Sequence, residues 1–358
     1  MKVSLCMIVK NEEEVLARCL DSVKTFADEI VIVDTGSTDD TRKIAADYTD
    51  RVFSFTWIDD FAAARNYAFS QATGDYLLWL DADDFVSPDN AKKFLALRER
   101  LADEQPDMVF LPYDTAFDAN GNPASTFYRE RIVKRTAGFR FVGRVHECIP
   151  PRGEIVFYEA RVRHLGSKKE RGARNLNIYR KWAGEEALGA RDLFYYGREL
   201  YYHRLYVEAA AVLENMLEGE GWYVNKIEAC RILSYCRREQ KDWNGALDAL
   251  TQSFRYGEPR ATILCEIARL YQEKERWREA AFWYESALLC RDHAAEGDFE
   301  EPVCRALVPM LELVCCYHAI GDRDRTKFWH EKTRKRFPDH PSVVYNEEFF
   351  RSAGLLTP

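Results

Sequence analysis

From Val3 to about residue 90, short runs that are apolar throughout alternate with stretches whose apolar residues return every three or four positions. An unbroken apolar run suits a strand buried on both faces, and the wider spacing suits an amphipathic helix. Val3 to Val9 reads as a first strand. Val15, Leu16, Cys19, Leu20 and Val23 form the stripe of a helix, with Glu12, Glu13 and Glu14 expected in its first turn against the helix dipole. Glu29 to Val33 is a second strand that stops at Asp34-Thr-Gly-Ser37, and Thr38 to Tyr48 a helix capped by Ser37 or Thr38. Arg51 to Phe55, Phe61 to Ala72 and Tyr76 to Leu80 continue as strand, helix and strand, the last ending at Asp81-Ala-Asp-Asp84. This alternation predicts an α/β domain with a mostly parallel sheet and helices on both faces. Ligands of such sheets bind beyond the carboxyl ends of the strands. Three polar clusters fall there: Asn11 with Glu12, Asp34 to Ser37, and Asp81 to Asp84.

Further on, Met108 to Pro112 reads as a strand, Asp118 to Gly121 as a turn, and Glu154 to Leu165 as β-rich. From about Arg191 the strand pattern stops and aromatic-rich helical patterns take over. Trp243 and Trp277 are 34 residues apart, as are Ala246 and Ala280, while Tyr206 and Ala209 precede Trp243 and Ala246 by 37. A period of this length marks stacked helix-turn-helix units, in which small residues let helices approach and aromatics fill between layers. The pattern resembles the tetratricopeptide repeat, with Gly197 as the small residue of a first helix and Ala246 and Ala280 in second helices. A fourth unit is expected at Gly321, Asp322 and Thr326, offset by an insertion around Asp292 to Glu301. The expected division is residues 1–170 as an α/β domain, 171–188 as a linker helix and 189–350 as an all-α repeat domain.

Composition changes this picture little. The chain has 358 residues, 47% of them hydrophobic and 31% charged, an ordinary globular balance with room for two domains. A net charge of −8 argues against a nucleic-acid binder. No apolar stretch approaches the roughly 18 residues of a membrane span, and the N-terminus reads as a buried strand and not a secretory signal. The ten cysteines are scattered without a CxxC spacing and read as reduced structural thiols, which points to a cytoplasmic protein.

The candidate chemistry is carboxylate chemistry. Asp81 and Asp83 flank one small residue just beyond a strand, so both can face one ion, and hard oxygen donors suit Mg²⁺ or Mn²⁺. The same four residues also read as an acidic loop leading into a helix that starts at Ser87-Pro88. His164, at the end of a β-rich run, reads either as a metal or phosphate contact, since a neutral imidazole suits Mn²⁺, or as a hydrogen-bonded structural histidine. Lys168, Lys169, Arg171 and Arg174 flank Gly172 and form either a basic loop that closes over phosphates or a solvated charged face. A base for an acceptor is expected at Glu147, with Asp114 as its competitor; the other reading is a salt-bridged Glu147 next to a packed His146. His146 and Glu147, on a strand, would point to opposite faces, so only one of them serves.

The stretch SLCMIVKNEE, the strand DEIVIVDTGSTDDT and the segment ARNYAFSQATGDYLLWLDADD, in this order, resemble the family 2 glycosyltransferases of GT-A fold. The resemblance covers residue 3 to about 90. It implies that Val9, Asn11, Glu12 and Asp34 line the nucleotide of a nucleotide-sugar donor, and that Arg65 lies near its phosphates. It also implies that Asp81 lies near the ribose and the metal, and that Asp83 is a direct metal ligand. A catalytic domain of this kind followed by such repeats resembles the group containing the sublancin-type peptide S-glycosyltransferases. The expectation is an inverting, metal-dependent hexosyl transfer, from a UDP-sugar, to a peptide or protein acceptor reached through the repeats. The alternatives are a transferase acting on a cell-surface polysaccharide or lipid-linked sugar, and an inactive transferase-like scaffold that recruits a partner.

Overall fold

The computed structural model describes residues 1–117, 121–166, 172–293, 299 and 301–354. The chain divides into two compact units, Met1–Glu185 and Glu186–Pro358. In the first, strands β1 (Val3–Val9), β2 (Glu29–Asp34), β3 (Val52–Ser54) and β4 (Tyr76–Trp79) are parallel, in the order β3-β2-β1-β4. The sheet continues through β7 (Pro123–Lys134), antiparallel to both β4 and β6 (Met108–Phe117), and on to β9 (Val162–His164) and the short β5 (Asp84–Phe85); β8 (Ile155–Phe157) also pairs with β6. Five of the eight pairings are parallel, as the alternating pattern requires. Helices α1 (Leu16–Val23), α2 (Thr41–Tyr48), α3 (Phe61–Gln71) and α4 (Pro88–Glu104) connect or follow the strands. Both faces are covered, because Leu5, Met7 and Ile32 enter one apolar cluster while Cys6, Val31 and Val33 enter another.

Strand order positions the site. Chain connections leave β1 toward β2 on one side and place β4 on the other, so the sheet reverses direction of winding at β1. Register sets Val9 beside Asp34 and Cys6 beside Trp79. The three polar clusters therefore share one edge of the sheet.

Three local expectations change. The acids of 12–14 precede α1, whose first turn holds none; the Glu12 carbonyl accepts from the Val15 and Leu16 N–H groups and starts the helix from outside. Helix α2 begins at Thr41 behind Asp40, since the Thr38 N–H is already held by the Asn11 side chain at 2.8 Å. The helix α5 (Arg174–Glu185), in the segment expected to link the halves, belongs to the first unit and buries Leu176, Ile178, Tyr179 and Trp182.

The second unit is built from antiparallel pairs: α6 (Ala190–Tyr202) with α7 (Tyr206–Glu218), α8 (Tyr223–Glu239) with α9 (Trp243–Gln252), α10 (Ala261–Glu273) with α11 (Trp277–Ala287), and α12 (Leu307–Ile320) with α13 (Arg323–Arg336); α14 (Pro341–Ser352) follows. Each first helix ends the same way. Arg204, Lys241, Glu275 and Gly321 take positive φ, and the next N–H bonds back to Leu200, Arg237, Tyr271 and Tyr317 respectively. This left-handed end satisfies the last carbonyls and turns the chain into the second helix two residues later. The small position follows: Ala209, Ala246, Ala280 and Thr326 are all buried. Thr326 fits because its hydroxyl bonds the Asp322 carbonyl at 2.7 Å. Gly197 is required, since a Cβ there would lie 2.5 Å from Leu213 Cδ2.

Candidate active site

Asp34 ends β2 buried, and its carboxylate receives the N–H groups of Gly36 and Ser37 at 3.2 and 3.1 Å. Arg42 approaches it at 3.7 Å. Asn11, with φ +55, crosses to the same turn: its N–H donates to Ser37 Oγ at 3.0 Å. The Glu12 N–H donates to Thr41 at 2.7 Å. Val9, whose carbonyl accepts from the Thr35 N–H, completes the wall.

The loop after β4 carries three acids in different surroundings. Asp81 keeps 32% of its side chain exposed and receives Arg65 Nη2 at 2.6 Å. Burial would raise its carboxyl, but the Arg65 and Arg131 charges override that and hold it far below the usual carboxylate range. Asp83 is shifted the other way, raised by burial and then by the Asp81 and Asp84 charges, with His164 opposing. Asp84 is fully buried and paired with the equally buried Arg131 at 3.2 Å. His164 reaches the group because β9 pairs with β5: its Nδ1 lies 3.4 Å from both Asp83 and Asp84. The Asp84 hydrogen bond, followed by the charges of the three acids, raises the imidazole pKa against the effect of burial.

Arg65 joins this loop to the other half of the site. It lies on α3, which starts at an Asp60 cap accepting the Ala63 N–H at 2.8 Å. Its guanidinium lies 4.7 Å from the Trp79 ring, with Nη2 on Asp81 and Nε on Glu147 at 2.5 Å. Nη1 is buried and has no hydrogen-bond partner among the described residues. Glu147 is brought there by a compact loop and not by a strand, which corrects the expectation for His146 and Glu147. Val142 and Cys148 exchange backbone bonds at 2.9 and 3.1 Å, and His146 takes φ +51 between them. The positive φ ends the alternation, so the two side chains diverge by turn geometry: His146 stacks on Tyr179 while Glu147 faces Arg65. Asn66, next to Arg65 on α3, clamps the loop by giving and receiving bonds with the Phe141 backbone at 3.0 and 2.9 Å.

Asp114 is not part of this group. It is 1% exposed, and its Oδ1 accepts Arg161 at 2.7 Å and Thr126 at 2.6 Å. Arg174 begins α5, its guanidinium over the Phe61 ring. Lys168 and Arg171 lie outside the described residues, as does Lys169. The site thus gathers Asp81, Asp83, His164, Arg65 and Glu147, with Asp34 and Asn11 along the same edge. Sequence reasoning missed Asp84, Arg131 and Asn66. Little in the sequence signals them: Arg131 follows Arg129 and Glu130 directly and stands just before the apolar pair Ile132 and Val133.

Carboxylate oxygens of the acidic loop and the His164 imidazole, at the end of a parallel sheet, are donors that suit a hard divalent ion. Among the described residues, Asp83, Asp84 and His164 are the group whose ligand atoms come close enough to hold one. The unpartnered Arg65 Nη1 fits an anion.

The first unit is a Rossmann-like α/β domain with acids at the carboxyl edge of its sheet, where such sheets bind ligands, and a helical-repeat unit follows it. Residues 4–151 match the family model described as glycosyl transferase family 2, and the N-terminal unit carries a domain of that family. A TPR repeat-containing protein of Synechococcus elongatus is 39% identical over 41% of this chain and 35% of its own length. The SPbeta prophage-derived glycosyltransferase SunS of Bacillus subtilis is 30% identical over 54% of this chain and 48% of its own. An uncharacterized glycosyltransferase of Rickettsia felis is 27% identical over 58% of this chain and 75% of its own. The chain thus spans half or less of the length of the first two. Among the described residues no helix is long and apolar enough to cross a membrane.

Proposed function

We propose that the first unit transfers a hexosyl group from a nucleotide sugar, a UDP-sugar, to a peptide or protein acceptor recruited by the repeat unit, with inversion at the anomeric carbon. One observation carries this reading: a single arginine, Arg65, touches both the acidic loop at Asp81 and the isolated acid Glu147. The acidic loop and the proposed proton acceptor therefore share one guanidinium, which supports their acting on one bound pair of substrates.

Asp34, Asn11 and Val9 receive the nucleoside, and Glu12 fixes the turn beside it. A Mn²⁺ or Mg²⁺ ion held by Asp83 and His164, with Asp81 beside them, would neutralise charge on the departing diphosphate. Arg65 offers Nη1 to the same anion, and Arg174, with Lys168 and Arg171, is assigned to the donor side as well. Glu147 takes the proton from the acceptor O–H or S–H. The freed lone pair bonds to the anomeric carbon as its bond to the diphosphate oxygen breaks, and that electron pair leaves with the diphosphate. Asp114 is the weaker candidate for base, since its carboxylate is already occupied and enclosed.

The test is calorimetric titration of UDP, GDP and CDP with and without Mn²⁺, on wild type and Asp83→Ala. Metal-dependent binding of UDP, lost in the variant, supports the donor and metal assignments. No nucleotide binding by wild type removes them and leaves a scaffold that recruits partners through its repeats. Transfer to a polysaccharide or lipid-linked sugar, with none to peptides, would replace the acceptor alone.

A further inference from the structure

The proximity of Asp83, Asp84 and His164 suggests three ligands for one ion, yet the surroundings of Asp84 say otherwise. A carboxylate has about four acceptor sites. On Asp84, Oδ2 receives the Asp81 N–H at 3.0 Å and lies 3.2 Å from Arg131 Nη1. Oδ1 receives the Tyr113 hydroxyl at 2.9 Å and faces His164 Nδ1 at 3.4 Å. Every site is taken, and the side chain has no exposed surface. An ion could bind Asp84 only by displacing one of these partners. Asp83 differs: 18% of its side chain is exposed, and its Oδ1 lies 3.4 Å from the same imidazole nitrogen.

We infer that Asp84 is a positioning residue which orients His164 toward the ion, and that Arg131 and Tyr113 fix Asp84 for that task. The inference rests on the metal reading proposed above. Accepting the Nδ1 proton of His164 selects one tautomer and leaves Nε2 as the nitrogen available to a cation. Arg131 makes the arrangement rigid. Its guanidinium lies between the Trp79 and Tyr113 rings, 4.0 and 4.2 Å from their centroids, and Nη1 also reaches the Trp79 carbonyl at 3.3 Å. That carbonyl belongs to the last residue of β4, two before Asp81. One buried cation thus ties the strand end, the acidic loop and, through Asp84, the imidazole on β9. Burying an ion pair is a poor route to stability alone, since desolvation offsets most of the attraction. Holding a ligand's orientation is a use for which the pair is well suited.

The test is a double-mutant cycle read by Mn²⁺ affinity in the presence of UDP, from the electron paramagnetic resonance signal of free Mn²⁺. Asp84→Asn is expected to weaken Mn²⁺ binding by about 10- to 100-fold in the wild-type background. In a His164→Ala background the same substitution should change affinity by less than about twofold, because the residue it orients is gone. Losses that multiply across the two backgrounds would mean that Asp84 coordinates the ion directly and overturn the inference. Should Asp84→Asn fail to fold, because it leaves Arg131 unpaired, Tyr113→Phe loosens the same oxygen and keeps the ion pair. A weakening confined to chains that retain His164 supports the inference; an equal weakening in both, or none, overturns it. A wild type that binds no Mn²⁺ with UDP defeats the metal reading itself, and this inference with it. A wild type that binds, with a multiplicative cycle, defeats only the role of Asp84.

Discussion

Glu147 and Asp114 are both enclosed acids, and what encloses them decides their use. Asp114 gives one oxygen to Arg161 and Thr126 and presents almost no surface. Glu147 keeps 11% of its side chain exposed, and its partner Arg65 is shared with Asp81. Glu147→Gln is expected to lower kcat by about 10²- to 10⁴-fold, the usual worth of a positioned base, with nucleotide affinity unchanged. Asp114→Asn should leave kcat within severalfold and lower the melting temperature. The reverse pattern in steady-state kinetics would move the base to Asp114. At this scale the sequence was legible at strand ends: Asp34, Asp81 and Asp83 follow apolar runs that announce their own termination. Arg65 and His164 depended on resemblance or on ligand chemistry, and their contacts did not show in the sequence. Arg131 and Asp84 were illegible because each is explained only by the other, and strand register between β4, β7 and β6 is not written in local spacing.

The elements are held by a few polar anchors that hydrophobic patterning does not reveal. Glu29, at the start of β2, receives Ser4 from β1, the Thr73 N–H and hydroxyl at 2.8 Å each, and Lys2 at 3.2 Å. Burial raises its carboxyl, but these bonds outweigh it and bring the pKa from 4.5 to about 2. A depressed carboxylate stabilises the fold fully above its unfolded pKa and stops doing so as pH falls through the folded value. The contribution, on the order of 3 kcal/mol, is therefore present above pH 4.5 and lost between pH 4.5 and about 2. Urea midpoints of wild type and Glu29→Gln should differ most near neutral pH and converge toward pH 2; a constant difference would show that Glu29 is not the anchor. Among the helices, the 34-residue period exposed second helices well, because Trp243 and Trp277 each open one. It understated the fourth pair, where threonine replaces alanine and an insertion shifts the phase, although the left-handed turn is unchanged. Gly197→Ala drives a methyl into Leu213 and should destabilise the repeat unit by roughly 1–3 kcal/mol, read from its denaturation midpoint.

Across the whole molecule, each unit has its own core. The two apolar clusters of the first contain residues between Val3 and Val162, and that of the second contains residues between Ile227 and Phe350. Units with separate cores are expected to fold as separate domains. The transfer chemistry proposed here needs only residues of the first unit, and a repeat array adds binding surface without adding a reactive group. Recruitment and chemistry should therefore be separable. Isolated residues 186–358, added in excess to the full chain, are expected to inhibit transfer to a protein acceptor by competing for it, while UDP-sugar hydrolysis without acceptor continues at its original rate. Inhibition that raises KM for the acceptor with kcat unchanged fits recruitment by the repeats. Equal loss of both activities would assign the second unit to the catalytic cycle itself. No effect on either would leave acceptor binding to the first unit alone.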